Sequence, residues 1–462
     1  MLFNSLVFIA FAALFFLFWP LVKRRPRASW VYLVAFSFFF YGWWDWRFLS
    51  LILFSGIIDF IAAIGMAARP RRRTPWLLFS LAGNIGSLGL FKYGRFIWEN
   101  LRAFLPALPV DPPVSDLFLI LPVGISFYTF QSMSYTIDVY RGRLAPTRDP
   151  LKFFAYLSLF PQLVAGPIVR ASDFLHQLDA PRDTDEPTRF RGLELILHGY
   201  FKKVVIADNL APVVNAAFGA ATPEASAGHW WLVMVAFAFQ IYCDFSGYSD
   251  IARGLAKWMG YDFQRNFDHP YTSLSIREFW TRWHISLSSW FRDYVYIPLG
   301  GSRCGRVREA ANLWVTMLVS GLWHGAAWHF VIWGALHAAF LSAEKLIGYP
   351  ALLARSAPGR LLAFLIVAVQ VLVAWVFFRA SSLDQAIGIV RIMFSFSGPS
   401  PSSFGAGAIV LMAGMAMREW YLYLGGHPLF ARPIVRTAML ALTFWAVLFL
   451  RGHGEQFIYF QF

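Results

Sequence analysis

Residues 278–303 read EFWTRWHISLSSWFRDYVYIPLGGSR and place ionisable and aromatic side chains close together in an otherwise apolar chain. A second run, GLWHGAAWHFVIWGALHAAF at 321–340, would pass for a membrane helix but for its histidines. Ionisable side chains at membrane depth are rare and mark functional sites. The two stretches together predict polar chemistry inside a membrane protein.

The composition is that of a chain embedded in lipid. Of its 462 residues, 58% are hydrophobic and only 14% are charged, so the chain is more apolar than a soluble domain. The fold class is predicted to be an all-α polytopic membrane protein with roughly ten to twelve transmembrane or re-entrant helices. The predicted spans lie at 2–22, 30–44, 48–68, 76–90, 117–139, 193–206, 230–245, 313–322, 328–341, 361–378, 406–417 and 437–450.

Basic residues recur in every second predicted loop. Clusters of Lys and Arg follow the first, third and fifth spans, at 23–27, 69–73 and 141–152. Because such loops stay in the cytoplasm, the pattern predicts an N-terminus on the opposite side of the membrane. The same clusters account for much of the formal net charge of +14, so membrane lipid is an expected partner and nucleic acid is not.

A single membrane domain is predicted for residues 1–462. We divide it into N-terminal spans at 1–152, a core at 153–345 with re-entrant and cytosol-facing helices, and C-terminal spans at 346–462. The core mixes short apolar stretches with proline, glycine and charge, which is tolerated at membrane depth where the backbone is buried in protein or lines a wet cavity. Cys243 and Cys304 have no paired spacing, which argues against a disulfide framework or thiolate metal site.

A Trp-His dipeptide occurs in both decisive stretches, as Trp283-His284 in the first and as Trp323-His324 and Trp328-His329 in the second, and we take Trp283-His284 and Trp323-His324 as the candidate pair. Two imidazoles in tryptophan-rich surroundings indicate one site. A buried imidazole is neutral near pH 7 and can accept a proton from a hydroxyl group, so a general base is expected. No metal is predicted, because His324 and His329 would lie about 140° apart on a helix and no HExxH motif accompanies them.

The aromatic residues around the first dipeptide have a simpler interpretation that stays open. They suit an amphipathic helix at the membrane interface, with tryptophans at headgroup depth and arginines at lipid phosphates. If the segment is helical, Trp280, Trp283 and Trp290 share one face. This interpretation does not explain why the same dipeptide appears in both stretches.

Several longer motifs are spread over most of the chain. They are MLFNSLVF at 1–8, YGWWDWRF at 41–48, LPVGISFYTFQSMSYTIDVYRG at 121–142, LSLFPQLVAGPIVR at 157–170, YCDFSGYSDIARGLA at 242–256, NFDHPYTSLSIREFWTRWHISLSSWFRDYVYIPLGGSR at 266–303, GLWHGAAWHFVIWG at 321–334 and VFFRA at 376–380. In these motifs the chain resembles the membrane-bound O-acyltransferase family, and within it the bacterial branch that acts in polysaccharide O-acetylation.

The resemblance implies a ring of helices around a central tunnel, with His324 as the catalytic histidine. His284 matches a second signature position that is asparagine in many eukaryotic relatives. The implied co-substrate is an acyl thioester, either acetyl-coenzyme A or an acyl carrier, and no bound cofactor is implied. The acyl group, acetyl in this branch, would cross the bacterial inner membrane for O-acetylation of an exported polysaccharide such as alginate.

The resemblance also implies partners, and it leaves alternatives open. The expected partners are an extracytoplasmic acetyltransferase or acyl-carrier protein of the polysaccharide modification system, and a cytosolic acyl donor protein. The motifs are similar in proteins that transfer D-alanyl groups to teichoic acid. From another class, a transporter or flippase for an acyl or saccharide intermediate would have the same polytopic form, and a non-catalytic scaffold is a third alternative.

The side chains around the two histidines are predicted to form the substrate tunnel or donor site. Arg282, Arg292 and Arg303 would face donor phosphates or, equally, lipid headgroups, whereas Asp293 and Glu278 would pair with arginines. The full set of candidates is Asn266, Trp280, Arg282, Trp283, Ser286, Ser288, Arg292, Asp293, Tyr294 and Trp323.

Overall fold

The computed structural model describes residues 1–109, 121–163, 166–395, 398, 404–426, 432–454 and 457–458, which contain helices and no β-strand. The α-helices are α1 Leu6–Val22, α2 Pro26–Asp45, α3 Leu49–Ala68, α4 Arg73–Phe91, α5 Gly94–Phe104, α6 Ile125–Tyr140, α7 Pro150–Leu157, α8 Phe160–Leu163, α9 Ala171–Phe174, α10 Glu186–Tyr200, α11 Asp208–Gly219, α12 Ala227–Met259, α13 Ile276–Arg282, α14 Ile285–Phe291, α15 Arg306–His324, α16 Trp328–Ile347, α17 Tyr349–Leu353, α18 Ala357–Arg379, α19 Leu383–Met393, α20 Ala406–Tyr423 and α21 Pro433–Phe449. Two π-helical segments, Phe201–Ala207 and Arg292–Tyr296, follow α10 and α14.

These helices confirm the all-α prediction. Every predicted span overlaps a helix, and the bounds differ most where a helix continues into polar sequence. The span predicted at 230–245 is the middle of the much longer α12. The span predicted at 117–139 begins outside the described residues, and α6 is its described part.

Several helices have the length and composition of membrane spans. Within the described ranges, four helical stretches qualify, namely Pro26–Ala68, Ala227–Met259, Trp328–Ile347 and Ala357–Arg379. The first of these contains α2 and α3, joined by a 3-10 turn. The apolar helices α1 and α21 are shorter. The protein is therefore an all-α polytopic membrane protein, as predicted.

The chain divides into two compact units. The first contains Met1–Ile196 and Ile251–Gln264, and the second contains Leu197–Asp250 and Arg265–Phe462. Both units use distant parts of the sequence, because α12 contributes residues to each. The single domain of residues 1–462, with its internal boundaries at 152 and 345, stays a prediction.

A buried carboxylate organises three helices of the first unit. Asp59 of α3 is fully buried and accepts hydrogen bonds from Ser80 and Asn84 of α4 and from Ser132 of α6. A buried charge is tolerated when several donors surround it. These bonds join α3, α4 and α6 inside an otherwise apolar bundle.

In the second unit, α15 and α16 form a tightly packed helical hairpin. A side-chain carbon added to Gly321 would collide with the carbonyl group of Phe330, and one added to Gly334 would collide with that of Met317. Glycine at both positions therefore permits the two backbones to approach closely. Since α15 ends at His324, this hairpin fixes the position of His324 at the turn.

Candidate active site

His324 lies in an aromatic box in the second unit. Its side chain is buried, and its imidazole packs edge to face against three rings. The centroid distances are 4.9 Å to Trp323, 4.9 Å to Trp333 and 5.2 Å to Phe378. The box excludes bulk water from the imidazole, and a proton acceptor in such a site acts in a medium of low polarity.

His284 occupies a sharp break in the first decisive stretch. The segment around Trp280, Trp283 and Trp290 is not one continuous helix, because α13 ends at Arg282 and α14 begins at Ile285. His284 adopts a left-handed conformation with φ 43° and ψ 54°, and its side chain is completely buried. A residue with a Cβ adopts this conformation at a cost, which often marks a functional position.

Asn266 holds the backbone on the C-terminal side of this break. Its carbonyl oxygen accepts a hydrogen bond from the Ile285 amide at 2.8 Å. Its Oδ1 accepts from the amide of Ser286 at 3.1 Å and from the hydroxyl of Ser286 at 2.9 Å. The Asn266 Nδ2 donates to Ser249 Oγ of α12 at 3.3 Å. Asn266 and Ser286, both predicted site residues, therefore set the direction of the His284 side chain from the backbone.

Trp323 is adjacent to both imidazoles. Its ring centroid is 6.0 Å from that of His284 and 4.9 Å from that of His324. The dipeptides Trp283-His284 and Trp323-His324 thus meet in one site. Burial lowers the pKa of His284, which lies outside the candidate spans, to about 3. A neutral imidazole offers one N–H donor and one acceptor nitrogen.

A buried glutamate steadies the segment that carries Asn266. Glu419 of α20 accepts a hydrogen bond from the Tyr242 hydroxyl at 2.8 Å and contacts His269 Nδ1 at 2.7 Å. His269 has a left-handed backbone with φ 49°, the one other non-glycine residue with positive φ in the described ranges. Glu419 therefore holds His269 in a conformation that the backbone alone would not favour.

We expect Glu419→Ala to lower the acyl transfer that the sequence resemblance implies by about tenfold or more. Hydrogen bonds to a charged group contribute about 1.5–3 kcal/mol each, and about 1.4 kcal/mol changes a rate tenfold. Turnover by purified protein at saturating donor is the measurement. The matched control is Glu224→Ala, because Glu224 also pairs with a histidine, His229, but is half exposed. Equal activities in the two variants would contradict a positioning role for Glu419.

A cavity of about 160 Å³ runs beside α15 in the same unit. Its lining includes three predicted site residues, Trp280, Ser288 and Arg292. Ser320 and Met317 of α15 also line it, and Ser320 precedes His324 by one helical turn on the same face. The cavity therefore follows the helix face that ends at His324.

The remaining predicted site residues have structural contacts. The Arg282 guanidinium pairs with Glu278 at 2.8 Å and lies 5.0 Å from the ring centre of Tyr423. Arg292 pairs with Asp293 at 2.7 Å. Both acidic residues thus pair with arginines, as expected. Trp283 packs 5.1 Å from Trp375, and Tyr294 packs 5.0 Å from Trp290, measured between ring centroids.

Sequence reasoning missed the rings that complete the site and the residues that support it. Phe245 and Phe267 lie beside His284, at centroid distances of 4.6 and 6.3 Å. An aromatic residue in an apolar helix carries no signal of such a role. Glu419 did carry a sequence signal of a functional role, because a carboxylate within an apolar helix is unusual. No group of three or more His, Cys, Asp or Glu residues suited to a metal occurs in the described part of the chain.

Known proteins share this sequence over most of its length. The profile of the membrane-bound O-acyltransferase (MBOAT) family matches residues 144–383, which include His284 and His324. The probable alginate O-acetylase of Azotobacter vinelandii is 41% identical over 403 residues, covering 86% of this chain and 78% of the relative. The peptidoglycan O-acetyltransferase of Helicobacter pylori is 34% identical over 432 residues, covering 87% and 81%.

A more distant relative transfers a different group. The teichoic acid D-alanyltransferase of Streptococcus thermophilus is 29% identical over 287 residues, covering 56% of this chain and 68% of the relative. The family profile and the two closer relatives confirm the resemblance drawn from the motifs. The two buried histidines on either side of Trp323 lie inside the matched region. The chain belongs to the membrane-bound O-acyltransferase family.

Proposed function

We propose that this acyltransferase moves an acetyl group from a thioester donor across the bacterial inner membrane, for O-acetylation of an exported polysaccharide such as alginate. The donor would be acetyl-coenzyme A or an acyl carrier protein. The observation that carries the proposal is the pair of buried imidazoles beside Trp323, next to a cavity along α15. Family membership favours this acyltransferase over the transporter and scaffold alternatives.

In the proposed mechanism, His324 accepts the proton of the acceptor hydroxyl as the oxygen attacks the thioester carbonyl carbon. The C–O bond forms, the C–S bond then breaks, and the His324 imidazolium returns the proton to the departing thiolate. A neutral His284 can donate a hydrogen bond to the carbonyl oxygen, where negative charge develops. The aromatic walls around both rings strengthen these interactions by excluding water.

The proposed direction of transfer follows from the basic loops. With 23–27, 69–73 and 141–152 in the cytoplasm, the N-terminus would be periplasmic. Arg292, at the exposed edge of the cavity, would then meet a cytosolic donor. On the other side the acceptor would be an extracytoplasmic acetyltransferase or carrier, which passes the acetyl group to the polysaccharide.

A D-alanyl group is the second candidate. The similarity to a teichoic acid D-alanyltransferase supports it over about half of the chain. The greater identity and coverage of the probable alginate O-acetylase favour acetyl.

The test compares exported polysaccharide from cells with and without this gene. We expect ester-linked acetate to fall to background in the deletion strain and to return with the wild-type gene. Ester-linked D-alanine is measured in the same samples by chromatography. Loss of D-alanine with unchanged acetate would exclude the acetyl proposal in favour of the second candidate.

A further inference from the structure

A second cavity of the second unit lies between α12 and α18. Its volume is about 140 Å³, and none of its lining residues lines the cavity beside α15. Both helices have the length and composition of membrane spans, so the cavity lies at the depth of the lipid acyl chains. We call it the lateral groove.

The shape of the lateral groove follows from helix periodicity. On α18, Phe364, Ala368 and Leu372 are half-buried and form the rim. Val367 and Val371 are 4% and 3% exposed and form the floor. Because the rim residues recur every four positions, they lie in one row along the helix. At 1.5 Å per residue this row is about 12 Å long, so the groove runs parallel to the helix axis.

The rest of the lining is also apolar in character. Val235 of α12 contributes to the opposite rim. Two hydroxyl groups occur in the lining, and both already donate within the protein. Tyr271 donates to the Ala238 carbonyl at 2.8 Å, and Ser273 donates to the Pro270 carbonyl at 2.7 Å. An apolar cavity of this size stays dry and binds hydrocarbon.

A lipid acyl chain is the occupant that fits this groove. The hydrocarbon core of a bilayer contains no water to fill it, and an empty groove would lose van der Waals contacts along its lining. An α-helix with its side chains is about 10–12 Å across, which is too wide for the groove, whereas a single hydrocarbon chain is not. Leu365 and Val369, beside the rim, are 49% and 39% exposed and mark the lipid-facing surface of α18.

One end of the groove offers a position for a lipid phosphate. Arg360 is exposed and precedes Phe364 by one helical turn on the same face of α18. Trp420 of α20 packs 5.5 Å from Phe364, measured between ring centroids. Arginine and tryptophan are typical of the headgroup level of a membrane. A phospholipid with its phosphate at Arg360 would extend its chain from Phe364 toward Leu372.

The groove also contacts rings that support the active site. Tyr271 and Phe279 are part of its lining. Their ring centroids lie 5.9 and 5.6 Å from that of Trp283, which directly precedes His284. A chain in the groove therefore packs against the two rings that hold Trp283 in place.

We propose that the lateral groove binds one acyl chain of a bilayer phospholipid, with the lipid phosphate at Arg360. The bound chain fixes Tyr271 and Phe279 and, through them, Trp283. This lipid site is additional to the substrate sites of the proposed acyl transfer. Its existence does not depend on which acyl group is transferred.

The experiment is photocrosslinking in nanodiscs of phosphatidylglycerol, in which a fraction of the lipid carries a diazirine in the middle of one acyl chain. Labelled positions are located by mass spectrometry of the peptides. We expect labelling at Val367 and Val371, which a chain that only covers the protein surface cannot reach. Labelling at the exposed Leu365 and Val369 shows that the probe reacts with α18.

Two variants narrow the groove from opposite sides, Val235→Phe and Ala368→Phe. A ring inserted into filled space is unfavourable, and we expect each variant to lower labelling of the floor by roughly fivefold, which corresponds to about 1 kcal/mol. The matched control is Val369→Phe, which adds a ring to the exposed surface of α18 and should leave labelling of the floor unchanged. Thermal melting identifies unfolding, and the wild-type labelling pattern tests the proposal even if both variants unfold.

Two results would overturn the lipid site. Labelling of Leu365 and Val369 without Val367 and Val371 would mean that the groove is closed or holds protein, such as a helix of a second copy. Labelling of the floor that persists in folded Val235→Phe and Ala368→Phe would mean that the chain does not enter through the groove.

The effect on Trp283 is measured as acyl transfer by protein stripped of phospholipid in detergent. We expect turnover to return as phosphatidylglycerol is added, and the two groove variants to need roughly fivefold more lipid than Val369→Phe for half recovery. Turnover that does not depend on added lipid would overturn the effect on Trp283. Absence of turnover under every condition, with normal labelling of the groove, would contradict the proposed function and leave the lipid site intact.

Discussion

Replacing His324 by alanine should abolish acetyl transfer while leaving the protein folded in the membrane. A general base contributes about 10²–10⁴-fold to a rate, and His324 is the imidazole that packs against Trp323, Trp333 and Phe378 together. We expect the deletion strain complemented with His324→Ala to export polysaccharide with background acetate. The variant should be present in membranes at the wild-type level, as measured by immunoblot.

The control for this result is His176→Ala, since His176 is exposed and lies in the first unit. It should restore full acetylation. His324→Gln, which retains polar bulk but is a very weak base, should fail as His324→Ala does. Acetate above about a tenth of the wild-type level in either His324 variant would contradict the assignment. Loss of a general base should lower the rate by about 10²-fold or more.

His284 can be separated into a backbone role and a chemical role. Asparagine tolerates the left-handed conformation better than most residues, and it can donate a hydrogen bond. We therefore expect His284→Asn to retain more activity than His284→Ala, which loses the donor and strains the break. This ranking follows if His284 stabilises the carbonyl oxygen and does not act as the base.

Sequence periodicity predicted the helices because lipid-facing apolar runs have no alternative to helix formation. It could not predict the break at His284. That break depends on hydrogen bonds that Asn266 accepts from Ile285 and Ser286. Asn266 lies in a different segment and is positioned in turn by its hydrogen bond to Ser249. The Trp-His dipeptides of the two stretches were sufficient to predict one site, since histidines at membrane depth have few structural explanations. The sequence could not separate them from Trp328-His329, whose imidazole is hydrogen-bonded to the Phe377 carbonyl.

The supporting residues were less predictable for a physical reason. The close approach of α15 and α16 depends on Gly321 and Gly334, and glycine in an apolar run does not indicate its partner.

Lys203→Met should prevent accumulation of the folded protein. The Lys203 Nζ lies 2.8 Å from a carboxylate oxygen of Asp208 and 2.8 Å from one of Asp244, and all three side chains are at most 3% exposed. Removing the only cation of this triad leaves two buried carboxylates facing each other. The loss of one partner of a buried ion pair costs about 3–5 kcal/mol, a large share of the stability of most proteins.

The triad also connects the active site with Phe457 and Ile458. The other oxygen of Asp244 accepts a hydrogen bond from the Ile458 amide at 2.7 Å. Phe457 packs 5.8 Å from Phe245, which packs on His284 at 4.6 Å. We therefore expect the fraction of Lys203→Met that does fold to bind donor poorly, because the wall behind His284 would be disturbed.

Size-exclusion chromatography and thermal melting in detergent measure the effect on folding. The control is Lys257→Met, because Lys257 pairs with an exposed carboxylate, Asp262, and an exposed pair contributes about 0–1 kcal/mol. The triple variant Lys203→Met, Asp208→Asn, Asp244→Asn removes every charge of the triad and should recover much of the lost stability, since a buried ionic group can often be replaced by neutral groups of similar volume. A Lys203→Met protein that melts like the Lys257→Met control would mean that the two carboxylates are already neutral, and that the triad does not hold the fold together by charge.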